Sequence, residues 1–227
     1  MLFGYFIFGV FALISWMIQN NLKSKFQRYS KIPIPRGMTG KDVAEKMLRD
    51  NGIFDVQVIS TNGHLTDHYN PAIKTVNLSE NVYGSSSVAA AAIAAHECGH
   101  ALQHADAYAP LTLRSKLVPV VSFASNWVQW ILLGGIILIH SFPQLLLAGI
   151  ILFAATTLFS FITLPVEINA SSRALVWLNT SGITTYETHE QAKDALKTAA
   201  YTYVVAAIGS LATLIYYILI FMGGSRR

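Results

Sequence analysis

The chain has 227 residues, of which 53% are hydrophobic and only 12% charged, with a formal net charge of +4. Soluble domains usually carry about a quarter charged residues, so the composition excludes an ordinary soluble surface and points to a membrane protein. The basic excess calls for no nucleic acid, since Lys and Arg beside anionic lipid account for it, and the lone cysteine, Cys98, excludes an intrachain disulfide and fits a reducing compartment.

Residues 1–22, 117–166 and 198–225 contain no Asp, Glu, Lys or Arg. A span takes about 20 apolar residues, so the middle stretch has room for two spans and a turn. Four transmembrane helices are therefore expected, at residues 2–19, 117–139, 143–164 and 199–222, with HSFPQ (140–144) as the turn of a hairpin. The first apolar run has no basic residue before it and no A-x-A-like cleavage site, so it reads as a retained anchor rather than a signal peptide.

With four spans, residues 23–116 and 166–198 share one side of the membrane, together with every acidic residue and every basic residue except Arg226 and Arg227. Near the span ends Lys23, Lys25, Arg28, Lys31, Arg114, Lys116 and Arg173 lie on that side, which the positive-inside rule makes cytoplasmic. The expected fold class is mainly α: an integral membrane protein of about four transmembrane helices with a small α+β unit. Its parts are an anchor (1–22), a cytoplasmic α+β unit (23–116), a hairpin (117–165), cytoplasmic helices (166–198) and a last span with its tail (199–227).

Within the polar part, SKIPIPRGMTG (30–40) reads as a linker. Thr39 caps a short helix, GKDVAEKMLRD, which stops at Asn51-Gly52. FDVQVIS (54–60) and KTVNLS (74–79) are strand-like, with TNGH and NPAIK as turns. Residues 85–87, all serine, can cap a helix from about 88 to 103. NASSRALVWLN (169–179) continues the third span as helix to Ser181-Gly182, and another helix starts near Thr185 with room to run into the last span.

The chemistry sits in AAIAAHECGHALQHA (91–105), where His96-Glu97-Cys98-Gly99-His100 fits H-E-x-x-H. Four residues on a helix turn slightly past one circle, so both imidazoles face one way and can share a zinc ion. Glu97 projects beside them as a general base. The composition gives roughly 0.006 chance matches to this pattern in a chain of this length. His104 lies eight residues past His96, about 12 Å along a helix, too far to share their ion, so it is expected in a supporting or surface role. Cys98 reads as a small packing residue, and Gly99 as tolerable where close packing wants no side chain.

A third ligand must come from elsewhere, and a catalytic zinc with two histidines commonly takes a glutamate. Glu167, in LPVEINASSRAL, stands at the end of the long uncharged run, an expensive place to leave a carboxylate without a reason. Glu187, His189, Glu190 and Asp194 sit in a densely charged stretch and read as a solvated helix face.

LTDHYNPAIKTVNLS, AAIAAHECGHALQH and LPVEINASSRAL, in that order and with two spans between the last two, resemble the bacterial membrane-embedded neutral zinc metallopeptidases of the YugP type. More distantly, the chain is similar to gluzincin proteases of the HtpX and CAAX-prenyl type. The resemblance implies a gluzincin-like zinc unit in a multi-pass protein of the bacterial inner membrane, with His96, His100 and Glu167 as Zn2+ ligands and Glu97 as general base. It also implies that TDHYNPAIKTVNLS supplies an edge strand that aligns substrate. Where the wider group has an aspartate four residues after the ligand glutamate, this chain has Ser171, which leaves Ser171, Asn169 and Arg173 as candidate supports for the histidines.

The expected reaction is hydrolysis of peptide bonds in membrane-associated proteins or peptides, with Arg173, Tyr69, His68 and His189 as candidate donors to the oxyanion. Two rivals stand beside it. A non-hydrolytic zinc-binding scaffold would need four filled ligand positions where three can be named, and a metal transporter would need polar ligands inside spans that offer little beyond Asn126, Gln129 and a few hydroxyls. Oligomeric state has no sequence signature here.

Overall fold

The computed structural model describes residues 2–63 and 65–224, with backbone only for residues 2–5, 7 and 224. In chain order the elements are α1 (Leu2–Tyr29), α2 (Gly40–Asp50), β1 (Gln57–Thr61), β2 (His68–Asn70), β3 (Thr75–Ser79), α3 (Glu80–Tyr83), α4 (Val88–Ala105), α5 (Ala109–Ile137), α6 (Pro143–Thr180) and α7 (Tyr186–Gly224). The chain is mainly helical with one small sheet. It divides into an apolar unit (Met1–Met17, Thr112–Pro165, Thr202–Arg227) and a mixed unit (Ile18–Leu111, Val166–Tyr201).

Among the described residues three helices are long and apolar enough to cross a membrane: Ala109–Ile137, Pro143–Thr180 and Tyr186–Gly223. The fourth expected span, residues 2–19, falls on α1, where the side chains of residues 2–5 and 7 lie outside the described set. Each of the three helices outruns its expected apolar segment, because a helix that has satisfied its backbone across a membrane has no reason to stop where charge begins. Thus α5 already includes Arg114 and Lys116, and α6 passes through Pro165 to Thr180. In the apolar unit α5 and α6 form a hairpin around buried Leu132, Leu146 and Ile150. The helices meet backbone to backbone at Gly135, where a Cβ would lie 2.5 Å from Leu146 Cα, the close approach that small residues allow between apolar helices.

The mixed unit is built on α4. Ser87 Oγ accepts from the backbone N–H of Ala90 at 3.2 Å and starts the helix, and the alanine run that follows is buried almost all round. Side chains that small carry little rotamer entropy and let α2, the sheet and α6 approach closely. On one side Val43, Ala44, Met47 and Leu48 of α2 complete a core with Val76, Leu78 and Val88; on another come Ala174, Leu178 and Ile183. Helix α2 is fixed at its start by a capping box: Thr39 Oγ1 accepts from Asp42 N at 3.2 Å and Asp42 Oδ2 accepts from Thr39 N at 2.9 Å. At its end Asp50 accepts from Trp177 Nε1 of α6 at 3.0 Å.

The sheet has three strands, in the order β1-β3-β2, where the sequence suggests two. β1 runs parallel to β3 and β2 antiparallel to it. The extra strand is β2, only three residues long and too short for an alternation of apolar and polar residues to show. β3 is central and buried along its length, and Asp67 holds its end by accepting from Ser79 N at 2.7 Å. In the expected TNGH turn, His64 lies outside the described residues.

Gly99 is where α4 meets α6. A Cβ there would lie 2.5 Å from the Ala170 carbonyl oxygen and 3.1 Å from its Cα, both backbone atoms that cannot swing aside. Gly99→Ala is therefore expected to destabilise the mixed unit by about 1–3 kcal/mol, the usual range for overpacking, although alanine is the better helix former. Thermal unfolding of the detergent-solubilised protein checks this, and an unchanged or raised midpoint would contradict the close packing.

Candidate metal centre

Helix α4 carries His96 and His100 one turn apart, and their rings meet edge to face with centroids 4.8 Å apart. The Gly99–Ala170 contact brings α6 against the same turn, with Glu167 one turn before Ala170. Glu167 Oε2 lies 3.3 Å from His96 Nε2 and 3.6 Å from His100 Nε2. One ligand atom from each of the three residues falls within 4.8 Å of the others. Glu167 is only 4% exposed, so its carboxylate has left water, and the imidazoles beside it replace part of what hydration supplied.

Glu97 is also buried, one position along the motif helix from His96. Burial pushes its carboxyl above the ordinary carboxylate range, against the pull of the His96 and His100 imidazoles. Cys98 is wholly buried, with Sγ 3.5 Å from the Ala44 carbonyl oxygen, which suits a packing residue.

Behind the cluster, each histidine has a partner at its other ring nitrogen. His96 Nδ1 is 3.1 Å from Ser171 Oγ, and His100 Nδ1 is 3.0 Å from Gln103 Oε1. Gln103 is fully buried and donates from Nε2 to the Val166 carbonyl at 2.8 Å and to Asn169 Oδ1 at 3.0 Å. Asn169 Oδ1 also accepts from Arg173 Nε at 2.9 Å. The Arg173 guanidinium pairs with Asp106 and lies over the Tyr108 ring at 6.0 Å. Of the supports suggested by sequence, Ser171 touches a histidine directly, whereas Asn169 stands one step further out, against Gln103, and Arg173 two steps, against Asn169.

The remaining candidates lie elsewhere in the mixed unit. His104 is exposed and packs its ring against Tyr69 at 5.9 Å, outside the three-residue cluster. His68 on β2 is exposed, with Nδ1 2.7 Å from the Thr66 carbonyl. His189 stands in the first turn of α7, 3.5 Å from Thr184 Oγ1. Glu187 and Glu190 are exposed, the latter beside Lys193. Asp194 departs from the solvated helix face expected for that stretch, since it accepts from Lys25 Nζ and Tyr29 Oη, each at 2.7 Å, and so ties α7 to α1 within the mixed unit.

Gln103 was not among the residues the sequence suggested. Its only sequence signature is its place three residues after His100, the spacing at which helical side chains meet. That signature marks a pair on any helix; burial and the partners on α6 give it meaning.

Comparison with known proteins places the whole chain rather than its individual residues. Residues 4–222 match the family described as "Putative neutral zinc metallopeptidase", and the chain belongs to that family. It is 43% identical over 224 residues to the Bacillus subtilis (strain 168) protein named "Putative membrane protease YugP", covering 99% of this chain and 98% of the relative. No solved structure matches the chain significantly.

If the cluster holds a metal ion, purified protein should carry about one zinc per chain, and His96→Ala, His100→Ala or Glu167→Ala should each lose it. His104→Ala should keep it. Metal analysis of the four variants checks the assignment, and equal loss from His104→Ala would overturn it.

Proposed function

We propose that this family member is a membrane-embedded zinc endopeptidase of gluzincin type, hydrolysing peptide bonds of membrane-associated proteins or peptides at the cytoplasmic membrane surface. The observation that carries the reading is the gathering of His96, His100 and Glu167 around one point, with Glu97 on the same helix turn. Two nitrogen donors and one carboxylate make a common catalytic zinc set, which leaves a fourth position open. Donors about 2.1 Å from a tetrahedral ion stand about 3.4 Å apart, and the Nε2 to Oε2 separations are 3.3 and 3.6 Å. A purely structural zinc would fill all four positions, so a cluster of three among the described residues favours catalysis over a scaffold.

His96, His100 and Glu167 would hold the zinc, which when bound would supply Lewis-acid polarisation of a scissile carbonyl and a more acidic water. The protein's own part is to present two imidazole nitrogens with their Nδ1 atoms held by Ser171 and Gln103, to hold the Glu167 carboxylate beside them, and to keep Glu97 ready for a proton. Glu97 takes the proton from the attacking water and delivers it to the leaving amine.

Among the candidate oxyanion donors, Arg173 has its guanidinium committed to Asn169 and Asp106, which weakens its case. Tyr69 has more support, because it stands on β2 and packs against His104 of the motif helix. β2 is an edge strand, so an extended substrate could pair along it, main chain to main chain.

The membrane placement rests on three candidate spans, the apolar α1 as a fourth, and the membrane protease named as a relative. Glu167 follows directly on the uncharged run 117–166, so the cluster belongs near the polar end of a span, within reach of juxtamembrane segments and protein tails. The distribution of Lys and Arg supports a cytoplasmic placement for that side.

Glu97→Gln keeps the size of the side chain and removes the base. Zinc content should stay at the wild-type level while peptide hydrolysis falls by about two to four orders of magnitude. A Glu97→Gln protein that cleaves normally would end the protease reading.

Topology has its own test. Single cysteines at Lys41 and Lys193, on a Cys98→Ala background, should resist an impermeant thiol reagent in intact cells and react once the cells are permeabilised. Labelling of both in intact cells would reverse the orientation, and opposite behaviour of the two would rule out four spans.

A further inference from the structure

Ser171 and Gln103 do different things to their histidines. A serine hydroxyl both donates and accepts, so Ser171 can follow either tautomer of His96. A primary amide has one end that donates and one that accepts, and the surroundings of Gln103 decide which end faces His100.

Two neighbours fix that orientation independently. The Val166 carbonyl, 2.8 Å from Nε2, is backbone oxygen and can only accept. Asn169 Oδ1, 3.0 Å from the same nitrogen, must also accept, because its other partner is the Arg173 Nε–H, which can only donate. Turning the amide over would set oxygen against both and bury the mismatch in a side chain with no exposure to water. Oε1 therefore faces His100 Nδ1 at 3.0 Å, and Nδ1 must carry the proton. Nε2 is then the nitrogen left to face Glu167, and in the neutral ring it is the one that carries the lone pair.

We infer that Gln103 is a positioning residue, which holds His100 in its Nδ1–H tautomer and couples that ring to the helix bearing Glu167. The inference rests on the proposed metal site for its purpose but not for its test. Gln103 reaches α6 at Val166, the residue just before Glu167, so one amide sets the ring on α4 and the backbone on α6 together. The chain of fixed polarity runs from Asp106 through Arg173 and Asn169 to Gln103 and His100. Partners of this kind outside the ligands usually change metal affinity by about 10–100-fold when removed.

Nitrogen-15 NMR of histidine-labelled, chelator-treated wild-type protein, at a pH where the imidazoles are neutral, reads the tautomer without any activity. His100, assigned by its loss in His100→Gln, should be protonated at Nδ1, against the preference of a free histidine side chain for Nε2–H. A neutral Nε2–H ring would overturn the inference. With zinc, competition against a chromophoric chelator should show Gln103→Met binding about 10–100-fold more weakly than wild type, at unchanged helix content by circular dichroism. Ser171→Ala should lose less. Wild-type affinity in a folded Gln103→Met protein would also overturn the inference; if that variant does not fold, the wild-type NMR result decides alone. Failure of the protease reading would look different, as wild-type protein that binds no zinc or cleaves no peptide while His100 remains in the Nδ1–H form.

Discussion

The site depends on one contact between two backbones. Gly99 of α4 lies against Ala170 of α6 so closely that a single methyl group would strike the carbonyl. Glu167 is one turn from that crossing on α6, and His96 and His100 flank it on α4. Any side chain at Gly99 would widen the gap between helices and pull the carboxylate from the imidazoles, whose separations of 3.3 and 3.6 Å leave little slack. Glycine costs about 1 kcal/mol in helix propensity, and the packing it permits is what that cost serves.

Around this crossing the protein arranges small residues outside and fixed polarity within. The buried alanines of α4 let α2 and the sheet close in on the motif helix. Between α4 and α6 runs the polar ladder from Asp106 to His100, every member of which has a partner of defined donor or acceptor character. A buried polar network is costly when incomplete and rigid when complete. This one is complete at Gln103, where the amide uses its oxygen and both amide hydrogens. The same unit is also tied by Asp194, shared between Lys25 and Tyr29 of α1.

The two histidine supports also differ in kind from the aspartate expected in the wider group. Neither Ser171 nor Gln103 brings a charge, so the negative charge near the imidazoles comes from Glu167 and Glu97. Neutral supports orient the rings without adding to a charge balance that already has two buried carboxylates in it.

Much of this was legible in the sequence, and the reason is locality. Uncharged stretches mark the long helices because membrane crossing is a matter of composition; the Thr39 and Ser87 caps, and the pairing of His96 with His100, depend on neighbours within one helical turn. Glu167 stood out through the cost of a carboxylate at the end of an apolar run. What sequence could not supply were relations set by packing between segments far apart in the chain. Strand β2 is too short to show a pattern and exists because β3 offers it an edge. Asp194 looked solvated because its partners are on α1. Gln103 looked like one more polar residue of a helix, and only the approach of α6, with Val166 and Asn169 turned toward it, decides which end of its amide faces His100. The residue types and their spacing along each helix were thus determined by the sequence alone, whereas the polarity and closeness of the contacts between helices were decided by the tertiary structure, because a hydrogen bond takes its direction from both partners.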